Sequence, residues 1–283
     1  MNKISRIFKP GREPSQAINH IVIILMLIFA LGPVVILGFN SLKSTAELGL
    51  NPLGPPKNIL WENYPKAWVE GNFATTMRNS GFLVIVTVSS VLFLAGMAAY
   101  SLARLKPPGS NAFMVFMLVG TTIPVWMYIV PLFILWRTLG LIDSLFGLII
   151  IYTAGNSPFA IFLLRTFMVG IPRDLEDAAR IDGATEWQVF RNVIVPLAWP
   201  GFLTVGLVVA LGTWGEYQLA MIFVHKPDLF PVTTSYFSFV SQYSRDWGLT
   251  SAGAIMMIAP VLIIFLALQR QFIDGLTQGG VKL

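Results

Sequence analysis

The sequence predicts an all-α integral membrane protein with six transmembrane helices and a cytoplasmic helix–Gly–helix segment. Of its 283 residues, 55% are hydrophobic and only 12% are charged, against roughly 25% charged residues in an ordinary soluble domain. Several apolar runs reach the length of about 20 residues that an α-helix needs to cross a hydrocarbon layer of roughly 30 Å. The composition therefore argues against a water-soluble fold, and the length of the runs favours helices over barrel strands.

The first predicted span covers residues 18–39, after a basic tail of residues 1–17. The tail resembles the start of a signal peptide, but the apolar stretch exceeds the usual length of about 7–15 residues. The sequence after it, Asn40-Ser41-Leu42-Lys43, offers no small-x-small cleavage site, so an uncleaved anchor is expected. The other five spans of the predicted membrane domain, residues 18–270, are 81–102, 113–136, 145–167, 201–223 and 252–268.

The distribution of basic residues predicts that both termini face the cytoplasm. This orientation places 12 of the 19 lysines and arginines inside, in agreement with the positive-inside rule. Four of the others lie in a long external loop, residues 40–79, and long loops count for less in that rule. A second external loop covers residues 225–250, and residues 271–283 form a cytoplasmic tail.

A polar, patterned segment of residues 171–198 joins the fourth and fifth predicted spans on the cytoplasmic side. Asp174 is suited to cap a first helix, and Glu176 and Asp177 would lie at the positive end of its dipole. Gly183 is suited to end that helix. The segment is therefore expected to start with a short helix that stops at a glycine.

A second short helix is predicted after the glycine. Thr185 and Gln188 have the spacing of a capping box, and Pro196 is expected to prevent continuation of the helix. Each helix has a narrow apolar stripe. The stripes are Leu175, Ala178 and Ala179 in the first helix and Trp187, Phe190 and Ile194 in the second. In one interpretation the two helices pack on the bilayer surface or on the protein's own bundle. In the other they insert into a groove of a cytoplasmic partner. The pattern alone leaves both interpretations open.

A short motif in this segment resembles the cytoplasmic signature of binding-protein-dependent importer permeases. That signature is Glu-Ala-Ala, three residues, Gly, nine residues, and then Ile-x-Leu-Pro. The sequence has Asp177-Ala-Ala-Arg-Ile-Asp-Gly183 and then Val193-Ile-Val-Pro196. All spacings match, with Asp177 in place of Glu and valines in place of Ile and Leu.

Other motifs resemble the carbohydrate-uptake branch of these ABC importer permeases, and within it the maltose-type second permease subunit. They are Glu62-Asn-Tyr64, Asn79-Ser80, Ala98-Ala-Tyr-Ser-Leu-Ala-Arg104 with Pro108-Gly109, Trp214-Gly-Glu-Tyr217, and the terminal Gly275-Leu-Thr-Gln-Gly-Gly-Val-Lys282. The resemblance implies a permease subunit of an ATP-driven, binding-protein-dependent importer for a sugar or a sugar-derived solute. Such a subunit forms half of a translocation pathway that works by alternating access.

The resemblance also implies the partners: a homologous permease subunit in a heterodimer, two ATP-binding subunits, a periplasmic or extracellular solute-binding protein, the carbohydrate and membrane lipid. The sequence has no Gly-x-x-x-x-Gly-Lys phosphate loop. ATP and Mg are therefore expected on the partner ATPase, with no cofactor and no enzymatic activity in this chain. The chain has no cysteine and two isolated histidines, so no metal site is predicted. The basic residues lie in short loops rather than on one face, which argues against nucleic-acid binding.

The resemblance assigns two sets of residues to contact with the ATPase. The first set shapes the coupling element: Glu176, Asp177, Ala178, Ala179, Asp182, Gly183, Ala184, Trp187, Phe190 and Pro196. The second set belongs to the C-terminal tail, which is expected to reach between the ATPases: Gly275, Leu276, Thr277 and Lys282.

Polar residues inside the spans are the candidates for a substrate path, because a charge at the bilayer centre costs at least about 3 kcal/mol unless it finds partners or water. They are Tyr152, Asn156 and Ser157 in the fourth span and Glu216, Tyr217 and Gln218 towards the outer end of the fifth. Hydrogen bonding between helices is the alternative explanation for these residues.

Two other classes of membrane protein agree less well with the sequence. A secondary transporter or channel subunit is expected to show inverted repeats or several buried ionisable residues along an ion path. An intramembrane enzyme needs a nucleophile with its base, or metal ligands, at membrane depth. Neither pattern is apparent in the sequence.

Overall fold

The structure is a computed structural model that describes residues 16–280, with side chains over residues 18–269. All regular structure in that range is helical. In chain order the α-helices are α1 (Gln16–Asn40), α2 (Thr45–Leu50), α3 (Asn63–Glu70), α4 (Phe73–Tyr100), α5 (Ser110–Thr122), α6 (Val125–Thr138), α7 (Leu145–Val169), α8 (Asp174–Ile181), α9 (Glu186–Val189), α10 (Val195–Leu197), α11 (Trp199–Gly215), α12 (Gln218–Phe223), α13 (Val232–Gln242) and α14 (Trp247–Gly280). Short π-helical turns extend α4 over Ser101–Leu105 and join α9 to α10 over Phe190–Ile194.

The chain divides into two compact units. One holds the residues up to Ala67 together with Tyr243–Ile255, and the other holds Trp68–Gln242 together with the residues from Met256 onward. The second unit contains all the residues of the 171–198 segment.

Four helical stretches are long and apolar enough to cross a membrane. They are Ile18–Asn40, Phe73–Leu105, Leu145–Val169 and Trp247–Gln269. Two more apolar stretches are bent pairs of helices, Ser110–Thr122 with Val125–Thr138 and Glu186–Leu197 with Trp199–Gly215. The described residues therefore provide four to six candidate spans in an all-helical protein.

The predicted third span, residues 113–136, consists of two helices rather than one. α5 and α6 meet at a bend of 99°. Pro124 lies between them, and it has no N–H with which to continue the helix of α5. A proline also disfavours helical backbone at the residue before it, and Ile123 is extended, with ψ 114°. The predicted span is therefore a bent pair of helices and not one continuous helix.

The predicted fifth span, residues 201–223, is also interrupted. α11 ends at Gly215, and Glu216 has extended backbone, with φ −70° and ψ 128°, before the short α12 begins. The predicted external loops contain helices as well, because residues 73–79 belong to α4 and α13 lies within residues 225–250. Apolar composition located the stretches correctly but did not locate the breaks within them.

The core of the second unit is formed by α4, α7 and α11. Its fully buried side chains include Val91 of α4, Leu164 of α7 and Val205 of α11. Tyr100 at the end of α4 and Phe190 of the 171–198 segment belong to the same buried cluster. The segment is therefore packed against the helical core and is not a free loop.

In the first unit, a set of hydrogen bonds fixes the turn after α1. Lys43 is fully buried, and its Nζ donates to Asn40 Oδ1 at 3.1 Å and to the carbonyl of Asn51 at 2.7 Å. Asn63 Nδ2 donates to the carbonyl of Lys43 at 3.1 Å. Gly248 packs against that carbonyl, and a Cβ at Gly248 would approach the oxygen to 2.1 Å. The site has no room for a larger residue.

We expect Gly248→Ala to destabilise the protein, because its methyl group would overlap a backbone oxygen that is held by Asn63. Overpacking of this kind costs about 1–3 kcal/mol, and the melting temperature of the purified protein in detergent measures the loss. Gly49→Ala is the matched control in the same unit, since a Cβ there would meet nothing within 4 Å. Equal melting temperatures for the two variants would contradict the prediction.

Candidate functional site

The 171–198 segment contains short helices on either side of a glycine. α8 ends at Ile181, and Gly183 follows shortly with φ +86°, a left-handed conformation that glycine adopts without steric strain. A Cβ at this position would meet nothing within 4 Å. The backbone therefore requires the glycine, and the surface around it is open.

The helix ends agree with the sequence prediction in part. Gln188 N–H donates to Thr185 Oγ1 at 3.4 Å and Thr185 N–H donates to Gln188 Oε1 at 2.7 Å, so the predicted capping box is confirmed. Asp174 does not cap α8, because Arg173 before it already has helical backbone, with φ −68° and ψ −29°. Pro196 does not end the second helix either. It lies within α10, and the chain bends by 77° only after that helix.

A buried ion pair fixes α8 to the end of the α4 helix. Glu176 Oε1 lies 2.6 Å from Arg104 Nε, and the two side chains are only 2% and 5% exposed. Neither atom has a hydrogen-bond partner elsewhere in the described chain. Arg104 Nη2 also donates to the carbonyl of Ile171 at 2.7 Å. One guanidinium therefore holds both the start of the segment and its first helix.

A second arginine joins the two helices of the segment. Arg180 Nη1 donates to Asp177 at 2.9 Å, and Arg180 Nε donates to Glu186 Oε1 at 2.8 Å. The hydrogen bond to Glu186 is the main cause that raises the pKa of Arg180 above its ordinary value. Arg180 Nη2 lies 3.3 Å from Glu176 Oε2, and Glu186 Oε2 accepts from the Tyr100 hydroxyl at 2.6 Å. These contacts connect α8, α9 and α4 through charged side chains.

The segment also has large apolar side chains exposed at its surface. Leu175 and Ile181 of α8 and Trp187 of α9 are 45%, 86% and 49% exposed, and we call these three side chains the outer face. Phe190 is buried, and its ring centroid lies 5.5 Å from that of Trp187. Of the other predicted coupling residues, Asp177, Ala178, Asp182, Gly183 and Pro196 are exposed, and Ala179 and Ala184 are half-buried. The predicted stripe of the first helix is thus mostly exposed, and the buried position on α8 is Glu176.

The sequence prediction did not include Arg104, Arg180 or Glu186 among the site residues. One signal was available, because Glu176 and Arg180 have the i, i+4 spacing of a helical ion pair. The contact of Arg104 with Glu176 joins residues 72 positions apart, and nothing local in the sequence indicates it.

The predicted substrate-path residues of α7 form hydrogen bonds within the protein. The Tyr152 hydroxyl donates to Glu216 Oε2 at 2.5 Å, and Glu216 Oε1 accepts from the N–H of Leu219 at 2.6 Å. Asn156 and Ser157 donate to carbonyls one turn earlier in their own helix. The contact of Tyr152 with Glu216 joins α7 to another element, as the alternative explanation requires, whereas the contacts of Asn156 and Ser157 stay within α7.

Two further predicted path residues lie at the start of α12. Tyr217 stacks on Phe237 of α13, with ring centroids 4.1 Å apart and ring planes at 23°. Gln218 is the first residue of α12 and is exposed. Tyr217 is therefore the path candidate that meets another helix through an aromatic contact.

The predicted tail contacts fall at the edge of the described chain. Gly275, Leu276 and Thr277 lie in α14 where the structure describes the backbone, and Lys282 lies outside the described residues. Over residues 18–269, no three His, Asp or Glu side chains are grouped so that they could hold a metal ion.

Comparison with known proteins identifies the kind of subunit to which this geometry belongs. Residues 92–276 match the family of binding-protein-dependent transport system inner membrane components. The chain belongs to this family. The matched region of the permease includes Arg104 and the whole 171–198 segment. The resemblance to importer permeases in the sequence is confirmed.

The permease is similar to sugar-uptake subunits over nearly its whole length. It is 33% identical to the diacetylchitobiose uptake system permease protein NgcG of Streptomyces coelicolor, over 99% of this chain and 93% of that protein. It is 36% identical to the trehalose transport system permease protein SugB of Mycobacterium tuberculosis, over 91% and 94% of the two chains.

A solved structure gives the same result for the fold. A chain of a bacterial ABC transporter involved in the import of the acidic polysaccharide alginate is 26% identical, with a TM-score of 0.79, and the match covers 93% of the permease and 99% of that chain. The permease is therefore an inner-membrane subunit of an ABC importer, and the ATPase of such an importer is a separate chain.

Proposed function

We propose that this permease carries a sugar or a sugar-derived solute across the bacterial inner membrane, and that the 171–198 segment couples it to a separate ATPase. The buried pair of Arg104 and Glu176 is the observation that supports the coupling role. It joins the exposed segment to the end of Phe73–Leu105, an apolar helical stretch of 33 residues. A displacement of the segment would therefore be transmitted to a membrane span.

The outer face of the segment supports docking into a groove of the ATPase. Leu175, Ile181 and Trp187 present exposed apolar side chains on short helices, which is the arrangement of a helix that inserts in a partner groove. Asp177 and Asp182 are exposed beside them. The complementary groove would have an apolar floor and basic residues at its rim.

The proposed topology has six spans and both termini in the cytoplasm. The bent pair of α5 and α6 then counts as the third span and α11 with α12 as the fifth, and the basic residues satisfy the positive-inside rule. Residues 171–198 and the two tails would lie inside, while the loops within 40–79 and 225–250 would lie outside. The C-terminal tail would contact the ATPases through Gly275, Leu276, Thr277 and Lys282.

The functions of the related proteins support a saccharide as the cargo. They concern diacetylchitobiose, trehalose and alginate. A single chain offers half of a pathway, so a homologous permease subunit would complete it, together with two ATP-binding subunits that hold ATP and Mg, and an external solute-binding protein. Closure of the ATPases would then rock the permease halves as rigid bodies between inward- and outward-facing states.

Uptake into proteoliposomes tests this proposal. The chain is co-expressed with its neighbouring permease and ATPase genes, and uptake of radiolabelled diacetylchitobiose and trehalose is measured with the cognate binding protein, with methionine as the control solute. We expect ATP-dependent uptake of at least one saccharide and none of methionine. Uptake that follows an ion gradient without ATP would favour the secondary transporter instead, and an active homodimer without a second permease would refute the heterodimer.

A further inference from the structure

A pocket of about 660 Å³ lies between α12 and α13. Tyr217 and Met221 line the α12 side, and Phe237, Ser241 and their neighbours line the α13 side. The spacing of these residues, four apart in each case, places them on one face of each helix. Small-molecule sites typically have volumes of about 300–1,000 Å³, so the pocket has the size of a ligand site. The 171–198 segment contributes no residue to it.

One wall of the pocket is an exposed aromatic stack. The rings of Tyr217 and Phe237 are stacked at 4.1 Å, and this contact fixes the orientation of both rings. Phe237 is nonetheless 50% exposed and Met221 is 61% exposed. The C–H face of a pyranose ring is flat and apolar, and it packs on an aromatic face of this kind. The stack therefore offers a platform for a sugar ring.

The α13 side of the pocket supplies neutral polar groups next to the stack. Ser238, Ser241 and Gln242 line the pocket and are exposed on one face of the helix. Hydroxyl and amide groups both donate and accept hydrogen bonds, which suits the hydroxyl groups of a saccharide. Thr234 also lines the pocket, and its buried Oγ1 has no hydrogen-bond partner. A buried hydroxyl without a partner is unfavourable, and a ligand hydroxyl or a water that bonds to it would remove that cost.

The charge of the pocket also favours a neutral ligand. None of the ten described residues that line it is a carboxylate, lysine or arginine, and His225 is the single imidazole among them. A charged amino acid or a phosphate would find no counter-ion among them. A neutral saccharide needs no counter-ion.

We propose that this pocket is a saccharide subsite on the permease itself, where a neutral sugar ring packs on Phe237 and bonds to Ser238, Ser241 and Gln242. The proposal rests on the proposed function, because it assumes that the cargo is a saccharide. It adds that this subunit contacts the cargo directly, independently of the solute-binding protein.

Equilibrium binding to the intact importer tests the subsite. The permease pair with its ATPase is placed in nanodiscs without the solute-binding protein, and binding of each radiolabelled saccharide of the uptake panel is titrated. We expect Phe237→Ala to weaken binding about tenfold, which corresponds to about 1.4 kcal/mol, the upper range for an aromatic contact. Phe237→Trp, which keeps an aromatic face, is expected to retain binding. Ser241→Ala combined with Gln242→Ala is expected to weaken it without touching the stack.

Phe93→Ala is the matched control, since Phe93 is an exposed phenylalanine of α4 that does not line the pocket. The subsite is overturned if the wild-type importer takes up a saccharide but binds none directly, or if Phe237→Ala binds as tightly as Phe93→Ala. It is also overturned if Phe237→Ala no longer co-purifies with the second permease, because the pocket would then be a subunit contact. A panel that is neither bound nor taken up would refute the saccharide function together with the subsite.

Discussion

Gly183→Trp is expected to abolish the stimulation of ATP hydrolysis by the solute-binding protein in the reconstituted importer. The indole would project into open space at the break between α8 and α9, where a Cβ meets nothing within 4 Å. That space is where the groove of the ATPase is proposed to close around the outer face. A non-glycine residue at φ +86° also costs roughly 1–2 kcal/mol. Basal hydrolysis, stimulated hydrolysis and co-purification of the ATPase, measured on one preparation, would show the loss.

Two matched variants separate docking from backbone strain. Gly183→Ala has the same unfavourable φ but adds only a methyl group, so most of the stimulation is expected to remain. Gly140→Trp introduces an indole at another glycine with positive φ, +68°, and with nothing within 4 Å of a Cβ, but outside the segment. It is expected to be stimulated like the wild type. Full stimulation of Gly183→Trp would refute the docking role, and an equal loss in Gly140→Trp would attribute the effect to strain.

The sequence predicted the helical class and the main apolar stretches because hydropathy over about 20 residues determines which segments can enter a bilayer. It did not predict the bend at Pro124 or the interruption of the helix at Glu216. A proline within an apolar run is compatible with a continuous helix, as Pro131 in α6 and Pro158 in α7 show, or with a sharp break, as Pro124 shows. Tertiary packing decides between these outcomes, and the hydropathy of a stretch of sequence carries no information about that packing.

The sequence predicted those parts of the candidate site in which the local backbone conformation restricts which residue can occupy a position. Gly183 and the Thr185–Gln188 capping box are local requirements, and both are present as predicted. Glu176 was placed in the first turn of the helix and assigned to the coupling set by the resemblance, and its burial against Arg104 depends on a contact with a distant helix. Asp174 was predicted to cap α8 but is the first residue of that helix. An aspartate suits both positions, because it can cap a helix and also favours the positive end of the helix dipole.

Glu176→Leu is expected to lower the free energy of unfolding by about 3–5 kcal/mol, because it leaves the guanidinium of Arg104 buried without its counter-charge. Arg104 would keep the carbonyl of Ile171, but its Nε would face an apolar side chain. The melting temperature of the permease in detergent measures the effect. Asp177→Leu is the matched control on the same helix. Asp177 also contacts Arg180 but is 63% exposed, and an exposed ion pair contributes less than about 1 kcal/mol.

Arg104→Met combined with Glu176→Leu distinguishes the stability of the pair from its role in coupling. Replacement of a buried ion pair by apolar side chains of similar size is often neutral, so the double variant is expected to regain most of the melting temperature that Glu176→Leu loses. It still lacks the hydrogen bond from Arg104 to Ile171, so the start of the segment is held less firmly. We therefore expect its stimulated ATP hydrolysis to stay below that of the wild type. A double variant as unstable as Glu176→Leu would assign the loss to the contact of Glu176 with Arg180. Full stability with full stimulation would mean that the pair only supports the fold, and the transmission attributed to it would be wrong.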